Sequence, residues 1–219
     1  MEDKKQAMLV GLCGRSGAGK GYVAKLFAAE GIPSIDTDMV YRSLTSACAD
    51  GEITECMEEL IRYFGDSIKN TDNSLNRAVL RTLVFGEDKR DNLKRLNEIT
   101  HRHILKKTME IADDLYHAGY SIILIDAPVL FESGFDKFCA AVVCVTAPEE
   151  LLVQRIMARD GLDKESAELR LKSQIPREEL EAKAQYVIEN NVDKPELIRR
   201  IKRVAENLEE LRRNNKNEF

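Results

Sequence analysis

No apolar run in this chain approaches the roughly 20 residues that a membrane-crossing helix needs. The opening Met1-Glu2-Asp3-Lys4-Lys5 does not lead into a signal-peptide core, so we expect a cytoplasmic protein with no membrane partner. A positive excess is missing too. Against 38 Asp and Glu stand 33 Lys and Arg, a net charge of −5, which excludes a nucleic-acid protein or a basic membrane-surface binder as the expected class. Local clusters of arginine then imply local anions. The five cysteines (Cys13, Cys48, Cys56, Cys139 and Cys144) are odd in number and lack metal-type spacing. They read as buried thiols in a reducing compartment. His101 and His103 have no third ligand at a suitable distance in sequence, so a zinc site is rejected. Repeats and low-complexity linkers are also absent. At 219 residues and 43% hydrophobic content, the chain can bury a sizeable core in one domain with insertions.

What is present concentrates between Gly11 and Ala24, Gly-Leu-Cys-Gly-Arg-Ser-Gly-Ala-Gly-Lys-Gly-Tyr-Val-Ala. An apolar run, Met8-Leu9-Val10, precedes it, and Val23, Leu26 and Phe27 continue it at helical spacing. Strand, glycine-rich turn, lysine and helix is the context of a phosphate-binding loop. Gly14, Gly17 and Gly19 permit positive φ, so that backbone N–H groups turn inward. The helix starting near Lys20 directs its positive end at the same point, and the lysine adds a mobile charge. Gly14, Gly17, Ala18, Gly19, Lys20, Gly21 and Tyr22 are therefore the expected nucleotide-binding residues. Gly21 stands where a Ser or Thr hydroxyl would meet Mg²⁺, and Tyr22 does not replace it. Mg²⁺ usually keeps several waters, so water can fill that position.

Short apolar runs alternate with amphipathic stretches along the chain. Met8–Cys13, Ser34-Ile35, 121–125, 140–145 and 186–188 read as strands. Helices are expected at about 20–30, 149–159 and 164–173, with a long one from Pro195 and a frayed tail over Asn214–Phe219. Residues from about 40 to 118 read as a helical lobe, too long for a simple crossover. Continuous apolar strands separated by helices imply an α/β fold with a parallel sheet covered on both faces. Ligands of such sheets bind at the carboxyl ends of the strands, where Gly14, Asp36, Asp126 and Thr146 should meet.

Asp36 and Asp38 lie two apart just past a strand, with Arg42 beyond them. Asp38, at the start of a helix, can accept an alcohol proton; equally, it can cap that helix while Asp36 sits in a turn. Arg155 and Arg159 at i, i+4 are either site cations or a solvated helix face. Asp126 ends an apolar strand as a water-bridged metal ligand would, or it caps the turn before Pro128.

The loop followed by Ile35-Asp36-Thr37-Asp38-x-x-x-Arg42 resembles the opening of dephospho-coenzyme A kinases. The resemblance continues through Leu75-Asn76-Arg77-x-x-Leu80-Arg81, Leu96-Asn97-x-Ile99-x-His101 and Asp126-x-Pro128-x-Leu130-Phe131-Glu132. Gln154-Arg155-x-x-x-Arg159-Asp160, Ser173-Gln174 and Val187-Ile188-x-Asn190 complete it, over about residues 8 to 208. It implies a P-loop kinase fold: a five-stranded parallel sheet covered by helices, a helical acceptor lobe (40–118) and a small lid (149–182). It implies transfer of the γ-phosphoryl of ATP, with Mg²⁺, to the ribose 3′-hydroxyl of dephospho-coenzyme A, the last step of coenzyme A synthesis. By position, Asp38 is the implied base, and Lys20 with the loop amides holds the β and γ phosphates. Arg42, Arg77, Arg81 and His101 match the acceptor half, and Arg155 and Arg159 the lid side. Asp126 is the candidate metal residue, through water.

The chain departs from that pattern in three places. Gly21-Tyr22 stands for the usual Ser/Thr pair, Arg102 for the proline after His101, and Gln185 for an acidic residue. The turn at Arg102 is expected to differ, or the arginine to add a contact to an acidic substrate. Two other readings remain. Gly-Ala-Gly-Lys-Gly resembles the loop of adenylate kinases, favouring a nucleoside monophosphate kinase, although their Asp-Gly-(Phe/Tyr)-Pro-Arg segment is absent. A non-catalytic nucleotide-binding protein would explain the missing hydroxyl but not the retained Asp38.

Overall fold

The computed structural model describes residues 6–48, 51–86 and 88–216. Five strands form one parallel sheet: β1 (Met8–Cys13), β2 (Ser34–Asp36), β3 (Ile122–Asp126), β4 (Ala141–Thr146) and β5 (Tyr186–Glu189), in the order β2-β3-β1-β4-β5. The three central strands, β3, β1 and β4, coincide with apolar runs, because strands covered on both faces gain most from continuous Val, Ile and Leu; the edge strands β2 and β5 each bury a single residue, Ile35 and Ile188. The helices are α1 (Lys20–Ala29), α2 (Thr37–Thr45), α3 (Glu55–Phe64), α4 (Arg77–Val84), α5 (Arg90–His117), α6 (Glu149–Asp160), α7 (Lys164–Lys172), α8 (Arg177–Lys183) and α9 (Lys194–Lys216). α9 remains helical through Lys216; the rest of the tail expected to fray, 217–219, lies outside the described residues. None of the described helices is long and apolar enough to cross a membrane.

The described residues divide into two compact units: one up to Asp36 and again from Ala112 onward, the other Thr37–Ile111. In the first, Val10, Leu12, Leu124, Val143, Val145 and Ile188 of the sheet pack with Val23 and Phe27 of α1, Ile156 of α6, Leu171 of α7 and Leu197 and Leu208 of α9. Register places Asp36 beside Asp126, Leu12 beside Asp126, Cys13 beside Cys144 and Thr146 beside Glu189. The carboxyl ends thus form one edge, with the sequence order reversing about β1, the position at which open α/β sheets take ligands.

The second unit packs Cys56, Met57 and Leu60 of α3 against Ile68 and Leu75 of the connecting segment, Leu80 and Val84 of α4, and Ile99 of α5. Its helix starts are locally encoded. Thr54 accepts from the Met57 N–H at 3.1 Å, and Asn76 from the Val79 N–H at 3.1 Å, each satisfying one donor that a helix start leaves open. Three cysteines, Cys13, Cys56 and Cys144, are buried as expected, whereas Cys48 and Cys139 are partly exposed because each lies outside a regular element; all five are free thiols.

Candidate active site

β1 ends at Cys13 and α1 begins at Lys20, so six residues make the turn between them. Three glycines in it are required by space as well as by φ; a Cβ on Gly17 (φ 82°) would lie 2.7 Å from the Leu152 carbonyl oxygen. A Cβ on Gly14 (φ 148°) would lie 2.3 Å from the Val145 carbonyl oxygen, and one on Gly19 (φ 88°) would lie 2.3 Å from the Asn190 side-chain nitrogen. The neighbours that crowd these positions also hold the loop. Asn190 is buried, and its Nδ2 donates to the Ala18 carbonyl at 2.8 Å. Peptide planarity then aims the Gly19 N–H away from Asn190. Arg155 donates to the Gly17 carbonyl at 3.2 Å and to the Asn190 carbonyl at 2.9 Å. Arg155 is therefore not a solvated surface charge; it braces the loop backbone. Lys20 Nζ lies 3.2 Å from the Gly14 carbonyl, folded over the turn it serves.

The α6–α8 region grips the loop at the Arg15-Ser16 corner. Arg15 pairs with Glu149 at 3.1 Å and donates to the Leu171 carbonyl at 2.9 Å. Ser16 N–H donates to Gln174 Oε1 at 2.9 Å, and Ser16 Oγ accepts from Arg159 at 3.1 Å. Arg159 also grips Asp160 with two bonds of 2.8 Å, and Arg170 binds the same carboxylate. Those bonds, Arg159 first, hold the Asp160 carboxyl down at about 2. Arg159 itself is exposed.

Asp126, at the end of β3, stands beside Asp36 and Leu12 in the sheet. Gly21 has nothing within 4 Å of where its Cβ would be, and Tyr22 is 43% exposed. Neither supplies a small hydroxyl.

In the Thr37–Ile111 unit, Asp38 is exposed and lies inside the first turn of α2, not at a cap position. Arg42 is in the last turn of α2; Arg77 opens α4 and Arg81 closes it. Arg77 and α2 meet: the guanidinium stands 5.9 Å from the centre of the Tyr41 ring. His101, half-buried on α5, has its pKa lowered below the usual 6.5 by desolvation, so it is neutral at pH 7. The turn expected at Arg102 does not exist. Arg102 continues α5 and binds Glu59 of α3, as does His103 at 3.0 Å. With Arg95 at 3.7 Å, Glu59 faces two guanidinium groups and an imidazole, and the bond from His103, ahead of the others, keeps its carboxyl below the usual range.

Four loop-holding residues carried no assigned role in the sequence: Arg15, Ser16, Gln174 and Asn190. Gln174 and Asn190 stood within recognisable motifs, but their partners lie 158 and 172 residues away along the chain.

Comparison with known proteins bears on the whole arrangement. The family model for dephospho-CoA kinase matches residues 8–196. A dephospho-CoA kinase of Fusobacterium nucleatum is 32% identical over 201 residues, covering 92% of this chain and 98% of that protein. The crystal structure of TT1252 from Thermus thermophilus superposes with a TM-score of 0.75 at 29% identity, over 92% of this chain and 97% of that one. A dephospho-CoA kinase structure from Campylobacter jejuni has the same fold, with a TM-score of 0.57 at 24% identity, over 92% and 98% of the two chains.

Proposed function

The chain belongs to the dephospho-CoA kinase family, enzymes of the final step of coenzyme A synthesis, and on that premise we propose which of its residues carry the reaction. ATP is the phosphoryl donor and the ribose 3′-hydroxyl of dephospho-coenzyme A the acceptor. The observation that carries this reading is the braced turn between β1 and Lys20, with positive φ at Gly14, Gly17 and Gly19. Phosphoryl transfer depends mainly on positioning and on charge placed around the migrating group. Gly14 and residues 17–22 receive the nucleotide phosphates, with Lys20 leaving the Gly14 carbonyl for the β and γ oxygens. Arg159, already bonded to the loop at Ser16, serves the transferring phosphoryl, and Arg155 acts by keeping the loop in its phosphate-ready shape.

Asp38 takes the proton of the acceptor hydroxyl; it is exposed and accessible to a substrate. Arg42, Arg77 and Arg81 bind the anionic groups of dephospho-coenzyme A, while neutral His101 contributes a hydrogen bond without charge. We read Thr37–Ile111 as the acceptor lobe and α6–α8 as the lid. For Mg²⁺, the fit is through water: Gly21 and Tyr22 bring no hydroxyl, while Asp126 offers a hard oxygen ligand at the strand edge beside Asp36. The ion, when bound, neutralises charge across the β and γ phosphates. The free thiols suit a cytoplasmic enzyme.

A coupled ADP-release assay with Mg·ATP tests this, offering dephospho-coenzyme A, AMP, CMP and shikimate in turn. Turnover with dephospho-coenzyme A alone, yielding coenzyme A by mass, is the expected result. Activity with AMP would move the protein to the nucleotide kinases, and ATP binding without any turnover would leave a binding protein.

A further inference from the structure

β1 and β4 lie side by side, and their register sets Cys13 opposite Cys144. Partners on adjacent parallel strands present their side chains to one face, with backbones about 4.8 Å apart, inside the roughly 4.4–6.8 Å between Cα atoms that a disulfide needs. Both residues are buried, at 3% and 1% exposure. Their thiols meet: Cys13 donates a hydrogen bond to the Cys144 sulfur, which lowers the Cys144 thiol below its usual value and raises Cys13. Burial and Glu181 oppose that shift at Cys144, while Arg177 and Lys20 add to it. Two buried cysteines often serve only as small apolar packing, and a thiol among apolar neighbours is inert. The surroundings of Cys144 are different. It lines a small cavity of about 10 Å³, room for a molecule near the size of water, together with Arg15, Thr146, Arg177 and Leu180; Cys13 does not line it. Arg15 has a buried Nε without a hydrogen-bond partner among the described residues, a donor left for an acceptor there.

We propose that Cys144 and Cys13 form an oxidisable pair beneath the loop: a hydroperoxide entering the cavity oxidises Cys144, and Cys13 then closes a disulfide that weakens nucleotide binding. In the first step the Cys144 sulfur attacks one oxygen of hydrogen peroxide and the O–O bond breaks. The products are a sulfenic acid and hydroxide, which takes up the thiol proton as water. In the second, the Cys13 sulfur attacks that of Cys144, the S–O bond breaks, and a second water leaves with the Cys13 proton. The two sulfurs give up two electrons and the peroxide gains them. Cys13 directly precedes Gly14, which packs so closely that a Cβ on it would lie 2.3 Å from the Val145 carbonyl oxygen. Drawing the sulfurs to the ~2.05 Å of a bond therefore moves an edge with no slack, and Gly14 shifts with it. The effect on nucleotide rests on reading Gly14 and residues 17–22 as a phosphate cradle; the disulfide itself does not.

The full chain, reduced and then exposed to hydrogen peroxide, should lose two hydrogens in mass at this pair. Peptide mapping after blocking of free thiols should join Cys13 to Cys144, with partly exposed Cys48 as the gauge of peroxide dose. ATP binding by calorimetry should weaken at least about threefold and return with dithiothreitol. Cys144→Ala should keep its ATP affinity in peroxide and leave Cys13 reduced. Cys13→Ala, lacking the second thiol, should carry Cys144 on to a sulfinic acid, two oxygens heavier. The crosslink is read in the wild type, so the test does not depend on either variant folding. Oxidation of Cys48 that leaves Cys13 and Cys144 as thiols would overturn the proposal, as would crosslinked protein that binds ATP like the reduced form. Reduced wild type without affinity for ATP would instead sink the cradle reading and the nucleotide part of this proposal, while the mapped crosslink would still establish the pair.

Discussion

Around the loop, most long-range ties run between side chain and backbone: Asn190 to the Ala18 carbonyl, Arg155 to the carbonyls of Gly17 and Asn190, Arg15 to that of Leu171, beside the Arg15–Glu149 ion pair. Within Thr37–Ile111 the ties between α3 and α5 run from side chain to side chain, with Glu59 of α3 facing Arg95, Arg102 and His103 of α5, and Glu55 facing Lys106 at 3.0 Å. Backbone carbonyls neither titrate nor move far, so they suit a cradle that must keep one shape. Carboxylate–cation pairs are screened by salt and fade with acid, which a helical unit closed by its own apolar core can tolerate. The difference teaches that the same residue type does separate jobs here: guanidinium as backbone brace beside the loop, guanidinium as ion-pair partner on α5.

The largest expected effect separates the two regions by function. Asp38→Asn should lower turnover at least about 100-fold while ATP binding stays near wild type, since the cradle does not include it. Near-normal turnover in a steady-state assay would remove Asp38 from the role of base.

Next comes the brace itself. Asn190→Ala leaves the Ala18 carbonyl without its 2.8 Å donor, and should cost about 1–3 kcal/mol in denaturant unfolding and weaken ATP binding at the same time. A loss of stability with unchanged nucleotide affinity would show that the loop keeps its shape by other means.

A smaller effect should appear in the α3–α5 clamp. Glu59→Gln should destabilise the protein by roughly 1 kcal/mol at low salt, a difference that shrinks in 1 M salt because the carboxylate is partly exposed. Acid should act on the same unit. His101 has a depressed folded pKa, so the unfolded chain binds the proton more readily, and stability is lost as pH falls below 6.5. Glu59 is also depressed; its contribution is present above the usual 4.5 and is lost as pH falls through its lower folded value. Asp160 of α6, held at about 2, stays ionised through that range. Hydrogen exchange at pH 7 and pH 5 should therefore show faster opening in Thr37–Ile111, with α6–α8 unchanged; equal change in both would erase the contrast.

The smallest effect is expected at Gly21, where open space and helical φ accommodate a side chain. Gly21→Ser should raise stability by a few tenths of a kcal/mol through helix propensity, and tighten Mg²⁺ in the ATP complex by offering a hydroxyl ligand. A titration of Mg²⁺ dependence checks the second part. A destabilised variant would mean that the site is narrower than its surroundings indicate.

Much of this was legible in the chain. The central strands β3, β1 and β4 coincide with apolar runs because burial on both faces leaves little freedom in composition, and the loop announces itself because positive φ and close backbone approach leave few options but glycine. Short α8 escaped notice: Arg-Glu-Glu-Leu-Glu-Ala-Lys has one buried residue, Leu180, too few to produce a period. Arg155 also looked like one of two charges on a helix face. Nothing within a turn of it reveals that its acceptors are carbonyls 138 and 35 residues distant.

Local sequence determined what is enforced locally: the strands, the helix caps at Thr54 and Asn76, the glycine loop with Lys20, and through the ordered motifs the family. Tertiary structure alone decided that Asn190 and Arg155 hold the loop's carbonyls, that Gln174 sits on the Ser16 N–H, and that Arg102 turns to Glu59. Those outcomes depend on which distant backbone groups arrive within about 3 Å, and only the packed core, not the neighbouring residues in sequence, fixes that distance.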